Sequence, residues 1–243
     1  MIPAEACLRL AEELPVSLLE SLIAQLRGSS VLVIPNPVYQ ARVDHFLERW
    51  HENRVDLAPM LEVALAARRL APTTELVWTG PPNILVPLRR TEQVLFDLIG
   101  GAEEGLTLTS FGVFQIPRLV DELEAALERR VALRVVLGDR ELHSYQEIER
   151  QRLQLGSKVV DRALLLHWPV TRRARDEKGR AGLMHVKAAV ADSRLAFLTS
   201  ANLTEAALER NMELGVLIRG GTIPSAIDRL IDTLVESGEL CRL

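Results

Sequence analysis

The sequence predicts an α/β fold in which a mixed β-sheet is sandwiched by helices and preceded by a helical extension. Three features of the 243-residue chain support this fold class. Apolar residues recur at helical spacing through residues 4–70, strand-like and helix-like segments alternate from residue 75, and the last segment is an amphipathic helix. We therefore expect an N-terminal helical extension at residues 1–72 and an α/β domain at residues 73–243.

The helical extension is predicted from three amphipathic segments. In VSLLESLIAQLRGSS the leucines recur on one helical face, and the run stops at Gly28. ARVDHFLERWHENR repeats the pattern, and LAPMLEVALAARRLA ends before Pro72. These segments predict a small helical unit.

The α/β domain is predicted from alternating patterns. ELVWTGPPN, GLTLTSFGV, VALRVVLGD and RALLLHWPV are strand-like, while TEQVLFDLIGGA, IPRLVDELEAALERR and SYQEIERQRLQLGS are helix-like. LMHVKAAVADSRLAFLTSANLT predicts two strands joined by a turn at Asp192 and Ser193, and NMELGVLIRGG predicts one more. IPSAIDRLIDTLVESG predicts the closing helix. Such alternation is typical of a mainly parallel or mixed sheet.

Composition points to a globular protein of a reducing compartment. Hydrophobic residues make up 48% and charged residues 26%, which excludes a disordered chain. Cys7 and Cys241 lie near opposite ends and predict no disulfide framework. The first residues are acidic rather than basic, and no apolar run approaches the roughly 20 residues that span a bilayer. We expect a cytoplasmic protein.

The candidate catalytic motif is H-x-K-x-x-x-x-D, formed by His185, Lys187 and Asp192. In a strand, side chains two residues apart point to the same face, so His185 and Lys187 should project together while Val186 points away. A satisfied pair on an edge strand is the alternative interpretation. Three further polar residues favour a functional site, because polar residues at the ends of neighbouring strands can converge on one small anion. These are Ser200, Asn202 and Glu213.

The segments HVKAAVAD, TSANLT and NMELGVLI resemble the phospholipase D superfamily, at spacings similar to those of its one-motif nucleases. The resemblance covers roughly residues 75–243, and the helical extension lies outside it. Chain size, extension and single motif look most like the phospholipase D-like component of the DISARM antiphage defence system. Thr199 departs from the pattern, since the family usually has glycine there.

The resemblance implies a metal-independent phosphodiesterase that works without a cofactor through a phosphohistidine. His185 would be the nucleophile, and Lys187 and Asn202 would bind the phosphate oxygens. Ser200 would support Asn202, and Glu213 would hold the ring of a catalytic histidine in the required tautomer. A family member that has lost activity is an alternative.

A single motif supplies one histidine, whereas the reaction needs a second to protonate the leaving group. His143 and His167 lack the lysine pattern, and His167 reads as a strand residue near the core. The resemblance implies a two-fold homodimer whose motifs face each other. It also implies a structural role for Asp192, which falls at a turn.

The segment TRRARDEKGRAG, immediately before the motif, is rich in cations, namely Arg172, Arg173, Arg175, Lys178 and Arg180. A solvated loop and a flap that follows a phosphate backbone are equally good interpretations. The net charge of −4 makes such a local run necessary for any polyanionic substrate.

Three functions remain open from the sequence. We expect a nuclease acting on DNA or RNA in phage defence, with other defence-system subunits as possible partners. A phospholipase D-type lipid hydrolase is the alternative enzyme, although no amphipathic basic helix suited to a membrane surface is present. A non-catalytic subunit that binds nucleic acid or a defence partner is the alternative without catalysis.

Overall fold

The computed structural model describes residues 3–28, 32–51, 56–81, 88–114, 116–139 and 144–243. The chain divides into two compact units, Met1–Ala71 and Pro72–Leu243. Each unit has its own cluster of buried apolar side chains. Within the described ranges, no helix has both the length and the apolar character needed to cross a membrane.

The described residues of the first unit form four helices, α1 (Pro3–Glu13), α2 (Val16–Leu26), α3 (Pro37–His51) and α4 (Leu57–Leu70). Their apolar stripes meet in a core that includes the fully buried Leu19, Leu22 and Leu61. Asp56 caps α4 by accepting a hydrogen bond from the backbone N–H of Ala58 at 3.3 Å. The helices predicted from the periodic segments are confirmed.

The second unit alternates strands and helices. The strands are β1 (Thr73–Thr79), β2 (Gly105–Ser110), β3 (Val113–Phe114), β4 (Ala132–Leu137), β5 (Leu164–His167), β6 (Ala188–Ala191), β7 (Leu195–Thr199), β8 (Leu203–Thr204), β9 (Glu213–Arg219) and β10 (Cys241–Arg242). The helices are α5 (Thr91–Gly101), α6 (Pro117–Glu128), α7 (Ser144–Gln154), α8 (Ser157–Arg162), α9 (Glu205–Glu209) and α10 (Ile223–Glu236).

Eight strands form one mixed sheet in the order β1-β9-β7-β6-β2-β4-β5-β10. The β2–β4 and β4–β5 pairs are parallel and the others are antiparallel, while β3 and β8 form a separate parallel pair. On one face of the sheet, Ala189 and Phe197 join the main core with α5 and α6. On the other, Val190 and Ala196 pack toward Ile227 of α10. Helices thus cover both faces, and the predicted fold class is confirmed.

One end of the sheet gathers several strand termini. The register pairs Thr109 of β2 with Ala188 of β6, Thr199 of β7 with Gly215 of β9, and Leu137 of β4 with His167 of β5. The carboxyl ends of β1, β2, β4, β5 and β7 therefore meet the amino ends of β6 and β9. We call this the site end of the sheet.

The opposite end of β6 carries the turn into β7. Asp192 and Ser193 have φ of 54° and 52°, and the N–H of Arg194 donates to the carbonyl of Ala191 at 3.0 Å. Positive φ at both central residues defines a type I′ turn, whose twist matches that of the paired strands. The turn predicted at Asp192 and Ser193 is confirmed.

Candidate active site

His185 and Lys187 lie at the site end of the sheet, just before β6. The prediction that they lie within a strand is wrong, because β6 begins at Ala188. The pairing of β6 with both neighbouring strands begins at that level, where Ala188 pairs with Thr109 and with Leu198. The two side chains nevertheless meet, with 3.1 Å between Lys187 Nζ and His185 Nδ1. Lys187 Nζ also donates to the His185 carbonyl at 2.8 Å.

Lys187 is a buried cation, with 9% of its surface exposed. Burial lowers the pKa of its ammonium from the ordinary value, and the negative charge of Glu213 opposes that shift. The ammonium lies 5.7 Å from the centre of the Phe111 ring, and the rings of Phe111 and His185 are 5.0 Å apart. A poorly solvated ammonium of this kind interacts strongly with an anion that reaches it.

Glu213 and Ser200 form a second part of the site. The Ser200 hydroxyl donates to Glu213 Oε2 and accepts from the backbone N–H of Leu214 at 3.1 Å. Asn211 Nδ2 donates to the other Glu213 oxygen at 3.2 Å. These bonds hold the carboxylate near Lys187, whereas the structure does not place it on the His185 ring. Ser200 therefore contacts Glu213 rather than Asn202.

Asn202 is anchored through its neighbours. The N–H of Leu203 donates to Ser110 Oγ at 3.1 Å, and the N–H of Ala201 donates to Thr199 Oγ1 at 3.1 Å. The Asn202 Oδ1 atom is buried, and no described residue donates a hydrogen bond to it. Buried polar atoms are normally paired, so this acceptor is unusual.

Thr199, which departs from the pattern that the sequence resembles, contributes to the local network. Its backbone N–H donates to the Lys187 carbonyl at 3.2 Å. Its hydroxyl donates to the Leu214 carbonyl at 3.5 Å and accepts from Ala201. The threonine thus ties β7 to the lysine segment and to β9.

Asp192 lies at the other end of β6, away from His185 and Lys187. Its carboxylate accepts hydrogen bonds from the backbone N–H groups of Glu103, Glu104 and Gly105, at 3.1, 2.7 and 3.0 Å. Partial burial raises the pKa of this carboxyl, but the three backbone donors outweigh burial, so the pKa lies below its ordinary value. Asp192 fastens the β6–β7 turn to the segment that enters β2.

The motif residues fall within a match to a family model described as "Cardiolipin synthase, PLD-like domain", which covers residues 95–235. The chain belongs to the phospholipase D-like family. Among curated proteins it is similar to the DISARM protein DrmC of Bacillus paralicheniformis, with 30% identity over 154 residues. That alignment covers 61% of this chain and 58% of the relative, so the chain spans less than two thirds of the relative's length.

Solved structures share the fold. NucT from Helicobacter pylori is 13% identical with a TM-score of 0.53, and the match covers 71% of this chain and 100% of that one. The phosphatidylserine synthase of Haemophilus influenzae Rd KW20 is 16% identical with a TM-score of 0.51, covering 79% of this chain and 48% of that one. At these identities the likeness concerns the fold of the phospholipase D-like domain.

The basic segment of the phospholipase D-like domain divides into buried and exposed cations. Arg173 is buried, pairs with Asp139 at 2.7 Å and donates through Nε to the Trp168 carbonyl at 3.0 Å. The expectation that Arg173 follows a phosphate backbone is therefore corrected, because this guanidinium anchors the segment to the end of β4. The remaining four cations, Arg172, Arg175, Lys178 and Arg180, are exposed.

Two of the exposed cations are held within the segment itself. Arg180 pairs with Asp176 at 2.7 Å, and Arg175 Nη1 donates to the Gly179 carbonyl at 2.6 Å. Together with the bridge between Arg175 and Ala181, these bonds shape a tight hairpin-like loop. This loop directly precedes the motif segment in the chain.

His167 is poorly placed to serve His185. His167 ends β5, which is three strands from β6, so roughly 14 Å of sheet separates the two strands. Burial lowers the pKa of the His167 imidazole, Asp139 opposes the shift and Arg173 reinforces it. His143 lies outside the described residues. In the described part of the chain, no group of three His, Cys, Asp or Glu side chains could hold a metal ion.

Residues from β2 and β4 complete the site and were not found from the sequence. Ser110 ends β2, Phe111 follows it, and Gly138 and Asp139 follow β4. The N–H of Gly138 donates to the Ser110 carbonyl at 2.8 Å. Polar or small residues directly after GLTLT and ALRVVL were the available signal, because ends of parallel strands meet at one edge of the sheet. The motif spacing alone does not show which strands lie beside it.

Proposed function

We propose that this chain is a metal-independent phosphodiesterase that cleaves nucleic acid through a phosphohistidine. The observation that carries the proposal is the buried Lys187 ammonium bonded to the exposed His185 imidazole, with the Glu213 carboxylate close enough to affect the lysine. A nucleophile, a fixed positive charge and a carboxylate are the groups that a metal-free displacement at phosphorus needs. Family membership supports this reaction class.

The first step depends on the tautomer of His185. Lys187 can only donate, so a neutral His185 that bonds it at Nδ1 carries its proton on Nε2. An arriving phosphodiester offers stronger acceptors to the ammonium, which frees His185 Nδ1. The ring proton can then move from Nε2 to Nδ1, where it forms a hydrogen bond to a carboxylate. Nε2 then has a free electron pair and attacks phosphorus, while the bond to the leaving oxygen breaks.

Glu213 is the candidate carboxylate for this role. In the unliganded chain it is bonded to Ser200 and Asn211. Binding of substrate would draw Lys187 toward the phosphate and leave His185 Nδ1 in need of an acceptor. Asn202 would bind a phosphate oxygen through its amide N–H, and Thr199 would fix the backbone beside it. The roles of Glu213 and Asn202 are those that the family resemblance implies.

The leaving oxygen needs a proton, and we assign its donor to the histidine of a second copy of the chain. That imidazolium protonates the leaving group and becomes a neutral imidazole. The neutral ring then removes a proton from the water that hydrolyses the N–P bond. Large apolar side chains around the site support such a contact. Val186, Met212 and Leu214 lie next to His185, Lys187 and Glu213 in the chain and are 55%, 69% and 50% exposed.

A nucleic acid is the substrate class that the basic loop favours. Its four exposed cations compensate locally for the negative charge of the whole chain. Similarity to a DISARM protein supports a role in phage defence, with other subunits of such a system as partners. Residues 73–243 would be the catalytic domain, and residues 1–72 an extension available to those partners.

A lipid hydrolase is the second candidate because an apolar cavity of about 350 Å³ adjoins the motif segment. Leu183, Met184 and Val186 line it together with Ile231 of α10, and its size falls in the range of small-molecule pockets. An acyl chain would fit these walls.

The proposed function is tested by turnover in EDTA. Bis(p-nitrophenyl) phosphate should be hydrolysed at an unchanged rate when all metal is chelated, because Lys187 supplies the positive charge. Loss of activity that magnesium restores would point to a different site. Single-stranded and double-stranded DNA, RNA and phospholipid vesicles then decide the substrate, and cleavage of lipid alone would favour the second candidate.

Replacing Arg172 and Lys178 with alanine should weaken binding to DNA. The slope of the logarithm of the binding constant against the logarithm of the salt concentration should fall by about two, roughly one for each lost phosphate contact. Hydrolysis of bis(p-nitrophenyl) phosphate should stay unchanged, since neither side chain contacts His185. Lys158→Ala combined with Arg229→Ala is the matched control: Arg229 adjoins Asp228, which bonds Ser193 at the opposite end of β6. An unchanged salt slope would mean that the loop is a solvated surface that does not contact the phosphate backbone.

A further inference from the structure

The segment that carries His185 has little backbone support. β6 begins at Ala188, and within the described chain no backbone hydrogen bond of residues 183–186 ties them to a neighbouring strand. The first backbone links lie later, where the Lys187 carbonyl accepts from Thr199 and the N–H of Ala188 donates to Thr109 Oγ1 at 2.8 Å. The position of the His185 ring therefore depends on side-chain and steric contacts.

Phe111 provides one of these contacts. Its ring lies 5.0 Å from the His185 ring at an interplanar angle of 51°, and 5.7 Å from the Lys187 ammonium. A tilted aromatic pair of this kind favours one orientation of the imidazole, and the same ring excludes water from the ammonium. One side chain at the end of β2 thus contacts both reacting groups.

Gly138 provides the second contact from the end of β4. A Cβ atom placed there would lie 2.5 Å from the Met184 carbonyl oxygen and 2.9 Å from Phe111 Cα. Two hydrogen bonds hold the backbone at Gly138 in place. Its N–H donates to the Ser110 carbonyl, and its own carbonyl accepts from the buried Gln151 at 2.8 Å. Any side chain at this position must displace Phe111, Met184 or both.

We propose that Phe111 and Gly138 are positioning residues for the His185–Lys187 pair, and this rests on the proposed phosphodiesterase function. Gly138 allows the Met184 carbonyl and the Phe111 backbone to approach closely, which sets the height of His185 above the sheet. Phe111 then fixes the orientation of the imidazole and encloses the ammonium. Neither residue transfers a proton or contacts phosphorus.

The kinetic test uses Gly138→Ala, Phe111→Leu and Phe111→Tyr. The first two should lower kcat on bis(p-nitrophenyl) phosphate by roughly 10- to 100-fold with little change in KM, since a misplacement of about 1 Å costs rate rather than binding. Phe111→Tyr keeps the ring and should restore most of the rate. Gly101→Ala is the matched control, because no atom lies within 4 Å of its added Cβ.

The pH profile of the same variants separates positioning from loss of stability. The titratable groups facing Lys187 are His185 in its own segment and Glu213 at the start of β9. Phe111→Leu should admit water to the ammonium, which moves the alkaline limb of kcat toward the higher pKa of an ordinary lysine. A stability defect alone would leave that limb in place.

An activity-independent measurement is the NMR spectrum of the histidine ring protons, with His185 assigned by its absence in His185→Ala. Its shifts should move in Gly138→Ala and in Phe111→Leu, and stay unchanged in Gly101→Ala. Unchanged His185 shifts in Gly138→Ala, or full kcat in Phe111→Leu, would overturn the proposal. If Gly138→Ala fails to fold, Phe111→Leu decides. If the wild-type protein is inactive but the His185 shifts still move in the variants, the proposed function is refuted, while the positioning of His185 by Phe111 and Gly138 still holds.

Discussion

Replacing His185 with alanine should reduce hydrolysis of bis(p-nitrophenyl) phosphate on the order of 10⁵- to 10⁶-fold, the loss expected when a nucleophile is removed. The side chain is exposed, so its removal leaves no buried cavity and the melting temperature should not change. His45→Ala, an exposed histidine of α3, is the matched control and should be fully active. A covalent phosphoryl adduct should form on the wild-type protein and be absent from His185→Ala.

Replacing Lys187 tests the same step through its charge. Lys187→Met keeps an unbranched apolar side chain in the buried position and removes the ammonium. We expect a loss of roughly 10²- to 10³-fold in kcat, the usual effect of one missing donor to a developing oxyanion. Retention of full activity in either Lys187→Met or His185→Ala would refute the assigned mechanism.

Much of the fold followed from patterns that are local in the sequence. Apolar alternation located β2, β4 and β7, and helical spacing located α5, α6 and α10. The turn at Asp192 and Ser193 was also local, because two residues between paired strands leave few backbone conformations. These elements depend on neighbours in the chain, which is why the sequence alone could predict them.

The start of β6 could not be predicted in this way. The apolar pattern continues through Leu183 and Met184, yet a strand needs partners, and the pairing with both neighbouring strands extends no further than Ala188. The side chains of His185 and Lys187 meet because the ammonium lies within hydrogen-bond distance of the imidazole while it donates to the His185 carbonyl. The predicted juxtaposition is therefore correct, while strand alternation is the wrong reason for it.

The burial of Arg173 and the contacts of Phe111 depend on residues distant in the chain. Arg173 follows a basic pattern that looks uniformly solvated, and it is Asp139, 34 residues earlier, that draws it inside. Phe111 meets His185 because β2 lies beside β6, which is a property of the sheet order. Candidate residues within the motif were found from spacing, whereas their supporting residues required the topology.

The dimer is tested most directly by the activity of a mixed dimer that contains one wild-type chain and one His185→Ala chain. If the two motifs form one active site, the mixed dimer has only one His185 side chain in that site and should have almost no activity. If each chain works alone, the same dimer should keep half the activity of the wild type. Co-expression of differently tagged chains, followed by two affinity steps, yields the mixed species, and wild-type chains carrying both tags are the control.

The exposed apolar side chains beside Glu213 allow a second test of the dimer. Met212→Glu and Leu214→Glu place carboxylates on side chains that flank Glu213 and are 69% and 50% exposed. Burying such charges against a second copy costs several kcal/mol, so these variants should be monomers at low micromolar concentration and should lose turnover. Leu70→Glu, at the end of α4 and 82% exposed, should change neither property. Sedimentation velocity measures the first and phosphodiester hydrolysis the second. A monomeric Leu214→Glu protein with full activity would mean that the proton donor lies within one chain, and His167 and His143 would then be the residues to replace.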